Sequence, residues 1–114
     1  MNSRTLYVGS NSVGNELLVS GGGVVLSSNG ILGAAASGDS NLAFVTGTGS
    51  LWSNAHGLFV GSNGAWNRLV ISNCAAVLNS NAAIGLATTA TNNLALVTGS
   101  GALWSNTTTL FSRG

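Results

Sequence analysis

Glu16, Asp39, His56 and Cys74 are the residues of this 114-residue sequence whose ionisation suits acid–base, nucleophilic or metal chemistry, and Arg4, Arg68 and Arg113 are its cations. Hydrolysis by general acid and base needs paired carboxylates, and a nucleophilic triad needs a base beside its nucleophile. Two separated acids and a lone histidine supply neither. A zinc or calcium site needs several converging ligands, which one Cys, one His and these acids do not provide. The glycine strings SGGGVV and TGTGS lack the lysine and following helix of a phosphate loop, so they read as corners. The expectation is no catalytic residue, no metal site and no cofactor.

Composition narrows the partners. Formal net charge is +1, and lysine, proline and glutamine are absent. Without a basic run there is no electrostatic footprint for nucleic acid or an anionic membrane surface. The apolar runs are only a few residues long, so no membrane-inserted helix is expected, and MNSRTLYVGS does not read as a secretory leader. One cysteine excludes an internal disulfide. Charge keeps globular surfaces apart, so a chain this neutral is expected to associate with itself. The 45% hydrophobic content argues for a folded chain and against a low-complexity coil.

What must position these residues is a repeat. Residues 6–57 align without a gap on 58–109, with 25 identities in 52 positions. Within each half, a shift of 26 brings Leu6, Leu32, Leu58, Ile84 and Leu110 into one column, and Asn15, Asn41, Asn67 and Asn93 into another. His56 then shares its place with Arg4, Gly30, Ala82 and Thr108, and Cys74 shares its own with Gly22, Thr48 and Ser100. A tolerant turn and a small packing position suit these columns better than reactive posts. Four coils follow, 6–31, 32–57, 58–83 and 84–109, with a partial fifth at 110–114, all in one domain spanning 1–114.

Inside a unit, apolar residues alternate over short runs bounded by Gly, Asn and Ser, which is strand-and-corner punctuation, and glycine is too frequent for helix. The prediction is all-β: a single-stranded, right-handed parallel β-helix (β-solenoid) of about four 26-residue coils with three strands each, its hand taken from the general crossover rule. Strand parity places Leu6, Val8 and their columns inward, with Tyr7, Gly33, Phe59, Gly85 and Phe111 outward. Glu16 and Arg68 must reach water, so Leu18, Phe44, Val70 and Leu96 face outward with them. The asparagines are predicted to form a structural ladder at a corner. Trp52 and Trp104 align with Leu26 and Leu78, alternate from an inward Leu51, and are expected to face outward as a contact stripe.

The phrases VGSNSVGNELLVSGGGVV, VGSNGAWNRLVIS and VTGTGSLWSN resemble glycine- and asparagine-rich β-helix repeats of secreted bacterial proteins. The resemblance is to the autotransporter-passenger (type V secretion) and PEP-CTERM-associated types, and it covers nearly the whole chain. It implies an extracellular or cell-surface stalk, adhesin or surface layer without a catalytic centre in its repeats. The chain departs from that pattern in having far fewer coils and no translocating barrel.

A short solenoid exposes unpaired backbone at both ends, and here no proline and few charges guard them. The leading expectation is a non-enzymatic structural subunit whose partner is itself, stacked head to tail into a filament or surface layer. Leu6, Tyr7, Val8, Phe44, Trp52, Phe59, Trp104, Leu110 and Phe111 are the expected assembly residues. The alternatives are a functional amyloid, and an adhesin fragment contacting glycans through Trp66, Tyr7 and Phe59. A pectin-lyase-like enzyme ranks last for want of a cleft of acids and bases. The Asn106-Thr107-Thr108 sequon is a weak glycosylation signal.

Overall fold

The computed structural model describes residues 5–9, 13–35, 37, 39–86 and 90–112, including all their side chains except those of Thr109, Phe111 and Ser112. Arg4 and Arg113 lie outside the described residues. Among the described residues there are eleven strands and no helix, and every strand pair is parallel. The strands wind into a three-faced β-solenoid of about four coils.

The first face stacks β1 (Thr5–Val8), β4 (Asn29–Leu32), β7 (Gly57–Val60) and the second halves of β9 (Ala76–Ile84) and β11 (Leu103–Ser112). The second stacks β2 (Glu16–Val19), β5 (Leu42–Thr46), β8 (Arg68–Ser72) and β10 (Leu94–Thr98). The third stacks β3 (Val24–Ser27), β6 (Leu51–Asn54) and the first halves of β9 and β11. Each coil therefore contributes one strand to every face, and the three inward surfaces meet in one core. Its fully buried centre includes Trp52, Leu32, Leu58, Leu69, Ile71, Val45, Val60 and Val77.

Spacing separates the faces. On the second face the step is 26 at every junction, as in Glu16 beside Leu42, Leu42 beside Arg68, and Arg68 beside Leu94. On the first face the step alternates between 24 and 28: Val8 pairs Leu32, Leu32 pairs Val60, and Val60 pairs Ile84. On the third face it alternates between 27 and 25: Val25 pairs Trp52, Trp52 pairs Val77, and Val77 pairs Trp104. The spacing averages 26 while odd and even coils differ, so the pattern closes only over 52 residues.

The corners carry the difference. Between the second and third faces, four residues (20–23) separate Val19 from Val24, while five (46–50) separate their partners Val45 and Leu51. The shorter corners are closed by Gly23 N donating to Ser20 O at 3.0 Å and Ala75 N donating to Ser72 O at 3.2 Å. Their central residues are left-handed, Gly21 and Gly22 in coil 1 and Asn73 and Cys74 in coil 3. The corner after the first face opens on a left-handed glycine in each coil, Gly9, Gly33, Gly61 and Gly85. Gly33, Gly61 and Gly85 each donate N–H to the aliphatic residue that precedes the glycine one coil earlier.

This corrects the expected columns. Leu6 lies beside Gly30 and not Leu32, because Leu32 stands on Val8. Gly33 and Gly85 belong to the corner and not to the outward Tyr7–Phe59 column, whose intervening members are Ile31 and Ala83. Inward parity survives within the strands of this face, because a slip of two residues returns a side chain to the same side, but Leu86, expected inside with Val8 and Val60, follows the glycine corner and is exposed.

A glycine corner does more than permit positive φ. A Cβ on Gly61 would stand 2.2 Å from Asn93 Nδ2, whereas one on Gly21 would meet nothing within 4 Å. Gly21→Ala is thus expected to cost about 1 kcal/mol through left-handed strain alone. Gly61→Ala should cost clearly more, since it also displaces a ladder asparagine; urea denaturation of the two variants checks the difference.

Candidate functional site

The residues with reactive chemistry do not converge. Glu16 and Arg68 are exposed on the outer surface of the second face. Asp39 lies in the corner before β5, where its Oδ1 accepts the Ala65 N–H at 2.8 Å. His56 is exposed at the corner between β6 and β7, and its carbonyl accepts the Ser80 N–H at 2.8 Å. Cys74 is exposed at a corner, donating its thiol to the Ser100 carbonyl at 3.1 Å. Its neighbour in the next coil is Gly101, where a Cβ would come 2.9 Å from Cys74 Sγ. Cys74 therefore stands against Gly101, and Gly22 against Gly49, where Ser100 and Thr48 were expected. Among the described residues no group of three or more His, Cys, Asp and Glu gathers as a metal site would require.

The asparagine ladder forms as expected. Asn15 donates its N–H to Asn41 Oδ1 at 2.9 Å and its Nδ2 to the same oxygen at 3.1 Å. Asn41 repeats both bonds to Asn67 Oδ1, at 2.9 and 3.0 Å. Asn67 N–H reaches Asn93 Oδ1 at 2.7 Å, while Asn67 Nδ2 and Asn93 Nδ2 turn to the carbonyls of Ala65 and Gly64. Asn41 and Asn67 are buried, so each ladder bond replaces water that the site excludes.

Trp52 overturns its expected place. It is 0% exposed, pointing into the core of the third face, and it cannot be a contact residue. The one-residue-longer corner of the even coils shifts β6 by one position relative to a 26-residue column, and a shift of one exchanges inside for outside. Leu51, expected inside, is accordingly only half-buried. Trp52 and Trp104 are separated by Val77, not Leu78. A Cβ on Gly30 would lie 2.5 Å from Trp52 Cζ2, so the indole takes the space that glycine leaves.

The same slip assembles a second polar column that the 26-residue alignment hid: Ser27, Asn54, Asn79 and Asn106. Trp52 Nε1 donates to Ser27 Oγ at 3.2 Å, and Ser27 Oγ donates to Asn54 Oδ1 at 2.6 Å. Trp104 Nε1 donates to Asn79 Oδ1 at 2.9 Å, and Asn79 Nδ2 donates to Asn106 Oδ1. Asn106, the residue of the sequon, is thus engaged within the fold. The spacing of 27, 25 and 27 in these polar residues, matching that of Val25, Trp52, Val77 and Trp104, was the available signal.

Two concavities stand out among the described residues. One, about 230 Å³, is lined by Asn54, Ala55, Leu78, Asn79, Ser80, Ser105 and Thr107. It offers amides and hydroxyls without an acid or base, and Asn54 Nδ2 is buried there without a partner. The other, about 170 Å³, is an apolar groove on the second face between Leu42, Phe44, Arg68 and Val70. Leu18, Phe44, Val70 and Leu96 line up outward on that face as expected.

The remaining expected assembly residues divide by place. Tyr7 and Leu110 are exposed, Phe44 and Phe59 are half-buried on outer surfaces, and the Phe111 side chain lies outside the described residues. Leu6 and Trp104 are partly buried against the core, and Val8 is buried within it. No family model matches the chain, and no curated protein or solved structure matches it.

Three substitutions test these placements. Asn67→Ala removes the acceptor for Asn41 N–H and Nδ2 and should cost about 2–4 kcal/mol, read from urea denaturation. Trp52→Ala should cost about 3–5 kcal/mol as a core truncation. Trp66→Phe, at a position 60% exposed, should leave stability nearly unchanged while removing the red-shifted, readily quenched part of the tryptophan fluorescence.

Proposed function

We propose that the protein is a non-catalytic structural subunit, deployed outside the cell, that stacks head to tail so that successive copies continue one solenoid. The observation that carries this reading is the state of the inward valine column. Val45 and Ile71 are 0% exposed, whereas Val97, the same residue of the last coil, is 43% exposed. A second copy's first coil is the surface built to cover it.

Coil alternation supports the fit. The chain runs odd, even, odd, even, so a copy set on the last coil repeats the junction of coil 2 with coil 3. Leu42 pairs Arg68 and Val45 pairs Ile71 at that junction. By the same register, Leu94 would meet Glu16 of the next copy and Val97 would meet its Val19. Parallel edges with neither proline nor dense charge favour such pairing.

The joint includes an exchange of strands. Residues 109–112 already pair with 81–84 on the first face, in the layer that the next copy's β1 would take. Stacking displaces one of these two segments, giving a lapped joint.

A second reading draws on Trp66, an exposed ring on a left-handed backbone at φ 61, as a platform for a neutral glycan. Loss of glycan-array signal in Trp66→Ala is its measurement.

Electron microscopy across salt and protein concentration tests the stacking. Filaments with a layer line near 4.8 Å are expected, and only compact monomers would overturn the reading. Val97→Glu should abolish filaments while leaving the β-type circular dichroism of the monomer intact.

A further inference from the structure

The outer surface of the second face carries more apolar area than water-facing sheet normally does. Its first two outward columns are Glu16–Leu42–Arg68–Leu94 and Leu18–Phe44–Val70–Leu96, and Thr46–Ser72–Thr98 follows them, with Ser72 buried. Six of the eight residues in the first two columns are apolar. Leu18, Leu94 and Leu96 are exposed, and Leu42, Phe44 and Val70 border the groove. A sheet face of this kind marks an interaction surface.

The two exceptions identify the occupant. Glu16 and Arg68 lie in one column, two coils apart, with Leu42 midway between them. Turn a second copy over by a two-fold axis running along the strand direction at the height of coil 2. Coil 1 then faces coil 3 of the other copy. Glu16 meets Arg68 and Arg68 meets Glu16, so both charges are matched by one operation. Phe44 meets Phe44 on the axis, and Leu18 meets Val70 beside the apolar groove. No other partner is needed to satisfy the only two charges on this face.

We infer that this face is a lateral, antiparallel interface with a second copy of the chain, centred on Phe44 and registered by reciprocal Glu16–Arg68 contacts. It does not depend on head-to-tail stacking. The face measures about 320 Å² for four strands about 4.8 Å apart and five residues long, and the three coils that overlap in one pair cover about 240 Å², well below the roughly 800 Å² per partner of a stable complex. A single pair is therefore a weak, short-lived contact. Repetition along an assembled column strengthens it by multivalency, so that antiparallel neighbours bind side by side.

The alternative two-fold, parallel to the solenoid axis, sets Glu16 opposite Ser20 and Leu18 opposite Leu18. It leaves the charges unmatched, and the two arrangements predict different neighbours.

Cysteine cross-linking distinguishes them. The background is Cys74→Gly, which removes the native thiol at a left-handed position of φ 67, combined with Val97→Glu so that stacking does not contribute. Under mild oxidant, Phe44→Cys is expected to form disulfide dimers, and a control Val13→Cys is not. Because Phe44 is half-buried, a second pair is used as well. A mixture of Leu18→Cys and Val70→Cys proteins should yield mixed dimers in excess over either self-dimer.

Glu16→Arg should slow dimer trapping about fivefold to tenfold, since it sets two like-charged contacts across the axis. Arg68→Glu should do the same, and Glu16→Arg with Arg68→Glu should restore the original rate. Three results would overturn the inference: Leu18→Cys self-dimers in excess over mixed ones, trapping indifferent to the charge reversals, or a double variant no faster than the singles.

Discussion

The bond from one coil's asparagine to the next coil's Oδ1 is the constraint on which the solenoid is registered. Asn41 and Asn67 are buried, and each receives both the backbone N–H and the side-chain amide of the preceding rung at about 3 Å. A slip of one residue would leave two donors without an acceptor in a place water does not reach, a penalty larger than most single side-chain contacts contribute. The face that follows the ladder therefore keeps a step of 26 at every junction. Any difference in coil length has to be absorbed at the corners.

That absorption gives odd and even coils distinct interiors. Even coils have the longer corners, and with them β6 and the first half of β11 turn Trp52 and Trp104 inward, where odd coils place Val25 and Val77. Gly30 leaves the space that the Trp52 indole occupies, and Ser27 and Asn79 of the neighbouring column receive the indole N–H groups of Trp52 and Trp104. Alternating large and small residues along the axis fills the core without widening one coil over another. Leu58 and Ala82 continue the first-face column that begins with Leu6 and Gly30, so the complementarity has the same 52-residue period.

Polar groups in this protein are spent on one another. The asparagines bond along the axis, Asp39 accepts a backbone N–H of the next coil, and Cys74 donates to a carbonyl. Among the described residues the charged side chains are Glu16 and Arg68, both exposed, and Asp39, half-buried. Among the described residues, the apolar outer columns of the second face and the parallel strand edges of the first and last coils stay uncovered. These are surfaces suited to association by packing and backbone pairing.

The all-β solenoid, the mean step, the Asn15–Asn93 ladder and the outward Leu18–Leu96 column were legible in the order of residues. Each depends on periodicity or on a residue type repeated at a fixed spacing, and the strict spacing of the second face preserved those signals. The inside and outside of the third face, the buried place of Trp52, the glycine corner that takes Gly33 and Gly85, and the polar column of Ser27, Asn54, Asn79 and Asn106 emerged only once the coils were stacked. Those depend on where corners lengthen. A gapless alignment averages a step of 27 with one of 25, and it loses the single residue that turns a strand over. Backbone pairing between coils restores it, because hydrogen bonds between strands register residues one by one and not by their average.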